Sequence, residues 1–487
     1  MRRLLVALLF VSVLHQGGPI LAQETPEEAQ APPRLDFELT RFARFDFSSA
    51  FATQEKPAEK AVQGPRPKRF LPAAGELVLL EVVPWAWDRY VQKYDFAYIS
   101  WDTIKENFKT GFQYDNDHFL TNQSSHPYHG GLFFSAGRSN GYNFWESSLF
   151  ALAGSLMWEC CMENTAPSIN DLVNTTLGGM TRGETSYRLA IVVLDNTATG
   201  ADRVWREIVA AVLNPVNSFN RLVRGDMFRT GENPDDRFPR GFSFSADLGY
   251  RNIKEGQHPD QAMLQISALY GDPFKGDIRN PFDSFYLGVD FNQPGGTLIS
   301  RIEERGILKG WELTEADSNV RHIAGFSQEY EYLNNEAQVF GAQMFSAGLL
   351  SRYVIKPELF AITDVTGIVF PLAAVQTTDF EAPQTGRNYD FAPGGGARVL
   401  ARLYYRGREV LGAGYAALWM KTVNGVSDAN TLQAFRAVAR LPVAGPIGAG
   451  AGYSWYSRKT TYTSFFEARK TQNEWRAFVN WVFPCRR

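Results

Sequence analysis

The chain has 487 residues, with 49 Lys+Arg against 52 Asp+Glu and a formal net charge of −3. That balance excludes a nucleic-acid-binding protein, which needs a strongly basic domain, and no nucleotide partner is expected. At 44% hydrophobic there is ample material for a core, while 14% aromatic with 42 Gly is an unusual mix for a plain soluble enzyme.

Residues 1–22 read as a secretory leader: Arg2 and Arg3, an apolar run over 4–14, and Ile20-Leu21-Ala22 as the cleavage site. Residues 23–70 are a Pro/Glu/Ala-rich, mostly disordered lead-in. After the leader, the longest apolar run is 149–158, about half of the ~20 residues a membrane-crossing helix needs. No such helix is therefore expected. The only cysteines, Cys160, Cys161 and Cys485, cannot form a disulfide framework and read as buried thiols.

From 71 to 237 the pattern is helical. Helices are expected over 76–90 with a break near Pro84, over 102–110, 141–164, 168–177 and 184–195, and over 200–213 with Thr199 as cap. A last one opens at Asn214-Pro215 and ends at Gly225. Pro127 makes the His126–His129 stretch read as a turn. After about Phe238 the period becomes two. Ala246, Leu248 and Tyr250 alternate with Ser245, Asp247 and Gly249, and Trp475, Ala477, Val479, Trp481 and Phe483 alternate with Arg476 and Asn480. Strands of roughly ten residues, apolar on one face and polar or Gly on the other, predict a transmembrane β-barrel. The 238–487 segment allows about ten to twelve strands. The fold class is thus an α+β membrane protein: an N-terminal helical domain, then an antiparallel outer-membrane barrel. Gly394-Gly395-Gly396 reads as a turn, and Gly448, Gly450 and Gly452 as one strand face that lets a neighbour or a plug approach.

The residues suited to chemistry lie in 111–188. His126, His129, Glu159 and Glu163 could ligate a divalent metal. For hydrolysis, His126 or His129 would be the base, Ser139 or Ser155 the nucleophile, and Glu159 the orienting group. The third reading is a buried polar network of Arg138, Asn140, Asp171, Arg182, Glu184 and Arg188, with the arginines as partners of Glu159 and Glu163.

The Asp-His-Phe-x-Thr-Asn run at 117–122, His-Pro-Tyr-His-Gly at 126–130 and Arg-Ser-Asn-Gly-Tyr at 138–142 together resemble an uncharacterised bacterial family, domain of unknown function 3943. Trp158-Glu159, Pro-Ser-x-Asn-Asp at 167–171 and Gly-Glu-x-x-Tyr-Arg at 183–188 extend the resemblance. His118 departs from the pattern. The resemblance implies an envelope protein of a bacterium with an outer membrane and brings no assigned activity or catalytic residue. The expected function is a non-enzymatic envelope role in contact with outer-membrane lipid: a gated or plugged pore, or the handling of lipid or another envelope component. The helices would sit at the periplasmic mouth, rest an apolar side on the inner leaflet with the acidic side toward the other helices, or plug the lumen. The alternative is a membrane-embedded hydrolase acting on lipid or cell-wall material.

Overall fold

A computed structural model describes residues 67–483, apart from 234–238, 240, 255, 257–258, 276–277, 294–297, 316–317, 378–385 and 464–465. The leader, most of the lead-in and Cys485 lie outside the described residues. The structure has an N-terminal helical bundle followed by twelve antiparallel strands closed into one barrel.

The helices are α1 (Phe70–Trp87), α2 (Trp101–Thr110), α3 (His126–Ser139), α4 (Phe144–Met157), α5 (Ile169–Val173), α6 (Gly179–Val193), α7 (Gly200–Leu213) and α8 (Pro215–Arg224). Their ends follow local chemistry. Ser100 and Thr103 close a capping box on α2, and Asn143 and Glu146 close one on α4. Asn214 caps α8 ahead of Pro215, and Gly225 ends it at φ 75°. Thr199 precedes α7 in an extended conformation but makes no side-chain cap.

Three expectations change. Pro84 does not break α1, which runs through it into a π-turn at Asp88–Gln92. His126–His129 is helical, because Pro127 falls in the first turn of α3, where its missing N–H costs nothing. The long helix expected over 141–164 is shorter: α4 passes into a π-turn at Trp158–Met162.

The strands are β1 (Phe242–Lys254), β2 (Asp260–Tyr270), β3 (Phe285–Gln293), β4 (Ile299–Glu312), β5 (Val320–Asn334) and β6 (Val339–Lys356). They continue with β7 (Leu359–Gln376), β8 (Tyr389–Tyr405), β9 (Arg408–Lys421), β10 (Ala429–Ala444), β11 (Ile447–Thr461) and β12 (Ala468–Phe483). β1 closes on β12 from Phe244↔Phe483 to Lys254↔Asn473. Closure leaves no unpaired edge, the condition for a sheet in lipid. The three glycines at 394–396 lie inside β8 and not in a turn. The register shift there falls between Phe370 and Ala373, where Pro371 and Pro393 offer no N–H to the ladder. The Gly450 face lets the Phe478 ring of the next strand lie close: a Cβ on Gly450 would sit 2.4 Å from it.

Charged side chains that reach across the interior identify the lumen face. Arg440–Asp247 joins β10 to β1 at 2.9 Å, Arg398–Glu329 joins β8 to β5 at 2.8 Å, and Arg476–Asp290 joins β12 to β3 at 3.5 Å. Residues of the opposite parity face outward, and on β9 and β12 they are the exposed Leu411, Tyr415, Trp419, Trp475 and Val479.

The helices pack on this outward face. Tyr270, Phe285 and Leu308 join a core with Phe134, Phe144, Met180 and Leu189. Arg182 meets Glu304 at 3.7 Å, Gln328 donates to the Leu177 carbonyl at 2.9 Å, and Tyr330 donates to the Gln123 carbonyl. Leu372, Ala374, Tyr389 and Phe391 pack with Tyr114, Phe119 and Val173. The bundle therefore lies against the outer wall of β2–β8. It is neither a plug nor a cover on the periplasmic mouth, because the residues that hold it point away from the lumen.

Candidate functional site

The sequence candidates separate into two groups. In the bundle core, Glu184 is fully buried and takes Arg138 at 2.6 Å and Arg188 at 2.7 Å. Arg188 also reaches Asp283 at 3.2 Å and the Pro281 carbonyl at 2.8 Å, which ties α6 to the β2–β3 connection. Asn140 donates to the buried Glu76 on α1 at 2.9 Å. This part of the polar network holds the helices to one another and to the barrel. It does not serve Glu159 and Glu163, the partners expected for these arginines. Arg138 and Arg188 are engaged by Glu184, and Arg182 by Glu304.

The second group gathers beside the β7–β8 connection. His126 Nε2 lies 3.2 Å from Asp171 Oδ1 and 3.9 Å from Asp117 Oδ2, and its Nδ1 lies 3.2 Å from Thr175 Oγ1. One ligand-capable atom from each of Asp117, His126 and Asp171 falls within 4.8 Å of the others, so these three could hold a cation. Asp171 is buried and Asp117 is exposed, which leaves the group one open side. Behind them lies a row of carboxamides. Asn122 and Asn170 donate to Asp115 Oδ1 at 3.1 and 3.0 Å, and Asn170 and Asn174 donate to Asn122 Oδ1 at 2.8 and 3.2 Å. Arg387 donates to the carbonyls of Asp115 and Tyr389, and Tyr389 donates to the Asp117 carbonyl at 2.6 Å. The barrel thus positions the loop that carries both aspartates.

Burial and the neighbouring Asp115 charge hold Asp171 well above the ordinary carboxylate range. Asp115 goes the other way. Burial opposes its charge, but hydrogen bonds from Asp171, Asn170 and Asn122 and the charge of His126 lower it overall. Burial pushes Glu163 up to about 7, against the indole N–H of Trp158 that it accepts. Glu159 is buried and accepts the Ser168 backbone N–H at 2.7 Å.

The remaining candidates lie elsewhere. His129 turns toward α1, where Nε2 donates to the Leu80 carbonyl at 3.2 Å, and its ring packs 4.4 Å from Phe133 and 5.3 Å from Trp158. The buried hydroxyls of Ser139 and Ser155 have no hydrogen-bond partner among the described residues, so neither is joined there to a histidine as a hydrolase nucleophile would be. Asp115 and Asp117 were missed as site residues. Their signal was the Asp-Asn-Asp-His run itself, with Asn170-Asp171 as its distant complement.

Residues 111–216 match the family described as Domain of unknown function (DUF3943), a little over a fifth of the chain and the segment that carries both polar groups. No curated protein matches. Among solved structures, the chain is similar to the NanC porin at 10% identity and TM-score 0.27, covering 49% of this chain and 98% of that one. The KdgM porin shows 11% identity and TM-score 0.21 over 49% and 98%. OmpT, an outer membrane protein of Vibrio cholerae, shows 11% and 0.22 over 50% and 96%. Scores this low carry no reading of their own, and the barrel rests on its strand pairing.

Proposed function

We propose that the protein is an outer-membrane channel of the gated kind, held shut in this conformation by its own strands. The division of the lumen carries this reading. At the end with the two-residue turns, a cavity of 1030 Å³ opens among Ser243, Tyr286, Arg305, Asp364, Arg402 and Tyr404. A second of 300 Å³ lies among Arg301, Glu303, Glu331, Arg398, Arg436 and Arg476. Toward the other end an apolar inward cluster forms on β6–β10, while the inward side chains of β1, β2 and β12 stay polar, with Arg251 against Glu474 at 3.1 Å and with Gln261 and Gln472 buried. Phe340, Met344, Ile368, Phe370, Val375, Leu418, Met420 and Leu432 are all buried against one another. The β5–β6 turn closes over them, with Gln338 donating to the carbonyls of Gln433 and Ser457 at 2.9 and 2.8 Å. Three of the five connections at the cavity end, β6–β7, β8–β9 and β10–β11, are two-residue turns, while β2–β3 and β4–β5 are longer, and short turns mark the periplasmic side of such barrels. The charged cavities are then a vestibule open to the periplasm, and the apolar cluster on β6–β10 is the gate. Arg and carboxylate side chains facing one another suit small charged solutes.

Conductance in planar bilayers tests this. The wild type should be nearly silent, and the Phe340→Ser/Met344→Ser/Phe370→Ser variant should conduct, with heat-modifiability confirming that the barrel is folded. A wild type that conducts steadily, or a folded triple variant that stays silent, would contradict the gate.

A further inference from the structure

We infer that the helical bundle is not an aqueous domain but lies in the bilayer beside the barrel, with the acyl chains of membrane lipid covering α1, α4 and α7. These helices are inverted relative to a helix in water. α1 turns Phe70, Leu71, Val78, Leu79 and Val82 outward and buries Glu76 and Glu81. α4 exposes Trp145, Leu149, Leu152 and Leu156 and buries Ser147 and Ser155. α7 exposes Val204, Ile208 and Val212, each more than half accessible, and buries Arg203, Arg206 and Glu207. Water would reward the opposite arrangement, and lipid rewards this one.

Three further observations point to lipid and not to a protein partner. The segment Phe70–Gln92 is long and apolar enough to cross a membrane. At 1.5 Å per residue, its 23 residues span about 34 Å, against a hydrocarbon core of roughly 30 Å. The expectation that no such helix follows the leader fails because Glu76 and Glu81 interrupt the apolar run in sequence while facing inward in space. The bundle also covers the barrel wall from Tyr270 and Phe285 at the short-turn end to Tyr389 and Phe391 at the other. Its exposed apolar side chains thus stand at the same height along the barrel as the bare outward wall that carries Leu411, Tyr415 and Trp419. Finally, α2 differs from these three: alongside Trp101 and Phe108 it exposes the charged Asp102, Lys105, Glu106 and Lys109. The inversion belongs to particular helices and not to the bundle as a whole.

The inference rests only on the barrel spanning a bilayer, and the test separates the two. Single cysteines would replace Val78, Leu149 and Ile208 in the full chain, with Cys160, Cys161 and Cys485 changed to serine. Val365→Cys serves as the barrel-wall control and Lys105→Cys as the water control. Each variant would carry a nitroxide in phosphatidylethanolamine/phosphatidylglycerol vesicles. Power saturation then compares collision with oxygen, which concentrates in lipid, and with a water-soluble nickel chelate. The three bundle positions should match Val365→Cys, with oxygen favoured at least tenfold more than at Lys105→Cys. Nickel access like that of Lys105→Cys would overturn the inference. So would protection from both reagents, which would mean that another protein covers these faces. Nickel access at Val365→Cys itself would sink the membrane reading of the barrel instead.

Discussion

The barrel and the bundle both turn apolar side chains outward and charged ones inward, yet they treat the inner charges differently. In the barrel lumen, the buried carboxylates Glu329, Asp247 and Asp290 meet arginines from other strands, as Glu329 meets Arg398 and Arg305 and Asp247 meets Arg440. Such cross-lumen pairs brace the wall. The bundle repeats that pattern only in its core, at Arg138–Glu184–Arg188. At its outer end, Asp115, Asp117 and Asp171 converge on one histidine and a row of carboxamides.

The contrast can be broken most sharply in the bundle core. Glu184→Gln leaves two buried guanidinium groups without their shared carboxylate and should cost about 3–5 kcal/mol. Urea unfolding followed by tryptophan emission should show the bundle melting early while the barrel stays heat-modifiable. Next comes the helix contact between α3 and α6. A Cβ at Gly130 would sit 1.8 Å from the Thr175 carbonyl oxygen, and one at Gly179 would sit 2.4 Å from the Gly130 carbonyl carbon. Gly130→Ala should therefore destabilise by about 1–3 kcal/mol in the same assay.

A smaller effect separates the two kinds of carboxylate by pH. Glu163 has its folded-state value raised from 4.5 to about 7, so folding favours its protonated form. Its contribution is fully present below 4.5 and is lost as pH rises through about 7. Stability of the wild type against unfolding should fall as pH rises across that window, and Glu163→Gln should flatten the dependence. The smallest effect belongs to α2, where the exposed Lys105–Asp102 pair at 3.6 Å predicts that Lys105→Ala stays within about 0.5 kcal/mol of wild type.

The barrel was legible because period-two alternation survives in nearly every strand, and its last strand, Trp475 to Phe483, carries the pattern in full. The seat of the bundle was not. A wall that faces helices uses the same Tyr270, Phe285 and Leu372 that lipid would accept, so hydrophobicity alone cannot separate the two. The readable trace was polar residues on the outward parity, Glu304, Gln328 and Gln343, which lipid would exclude. In the site, His126 and Asp171 were both visible, but Pro127 disguised the start of α3. The pairing of 115–117 with 170–171 needed the chain to cross more than fifty residues. His129 drew attention by its spacing and belongs to the α1 contact.

The central claim is that barrel and bundle share one bilayer, each with its polar interior turned away from lipid. Electron cryomicroscopy of the full chain in a lipid nanodisc tests it most directly. Ordered acyl-chain density should line α1, α4 and α7 and the bare wall of β9–β12, with none between the bundle and β2–β8. A bundle standing clear of the disc, or acyl density running unbroken along Tyr270, Phe285 and Tyr330, would contradict it.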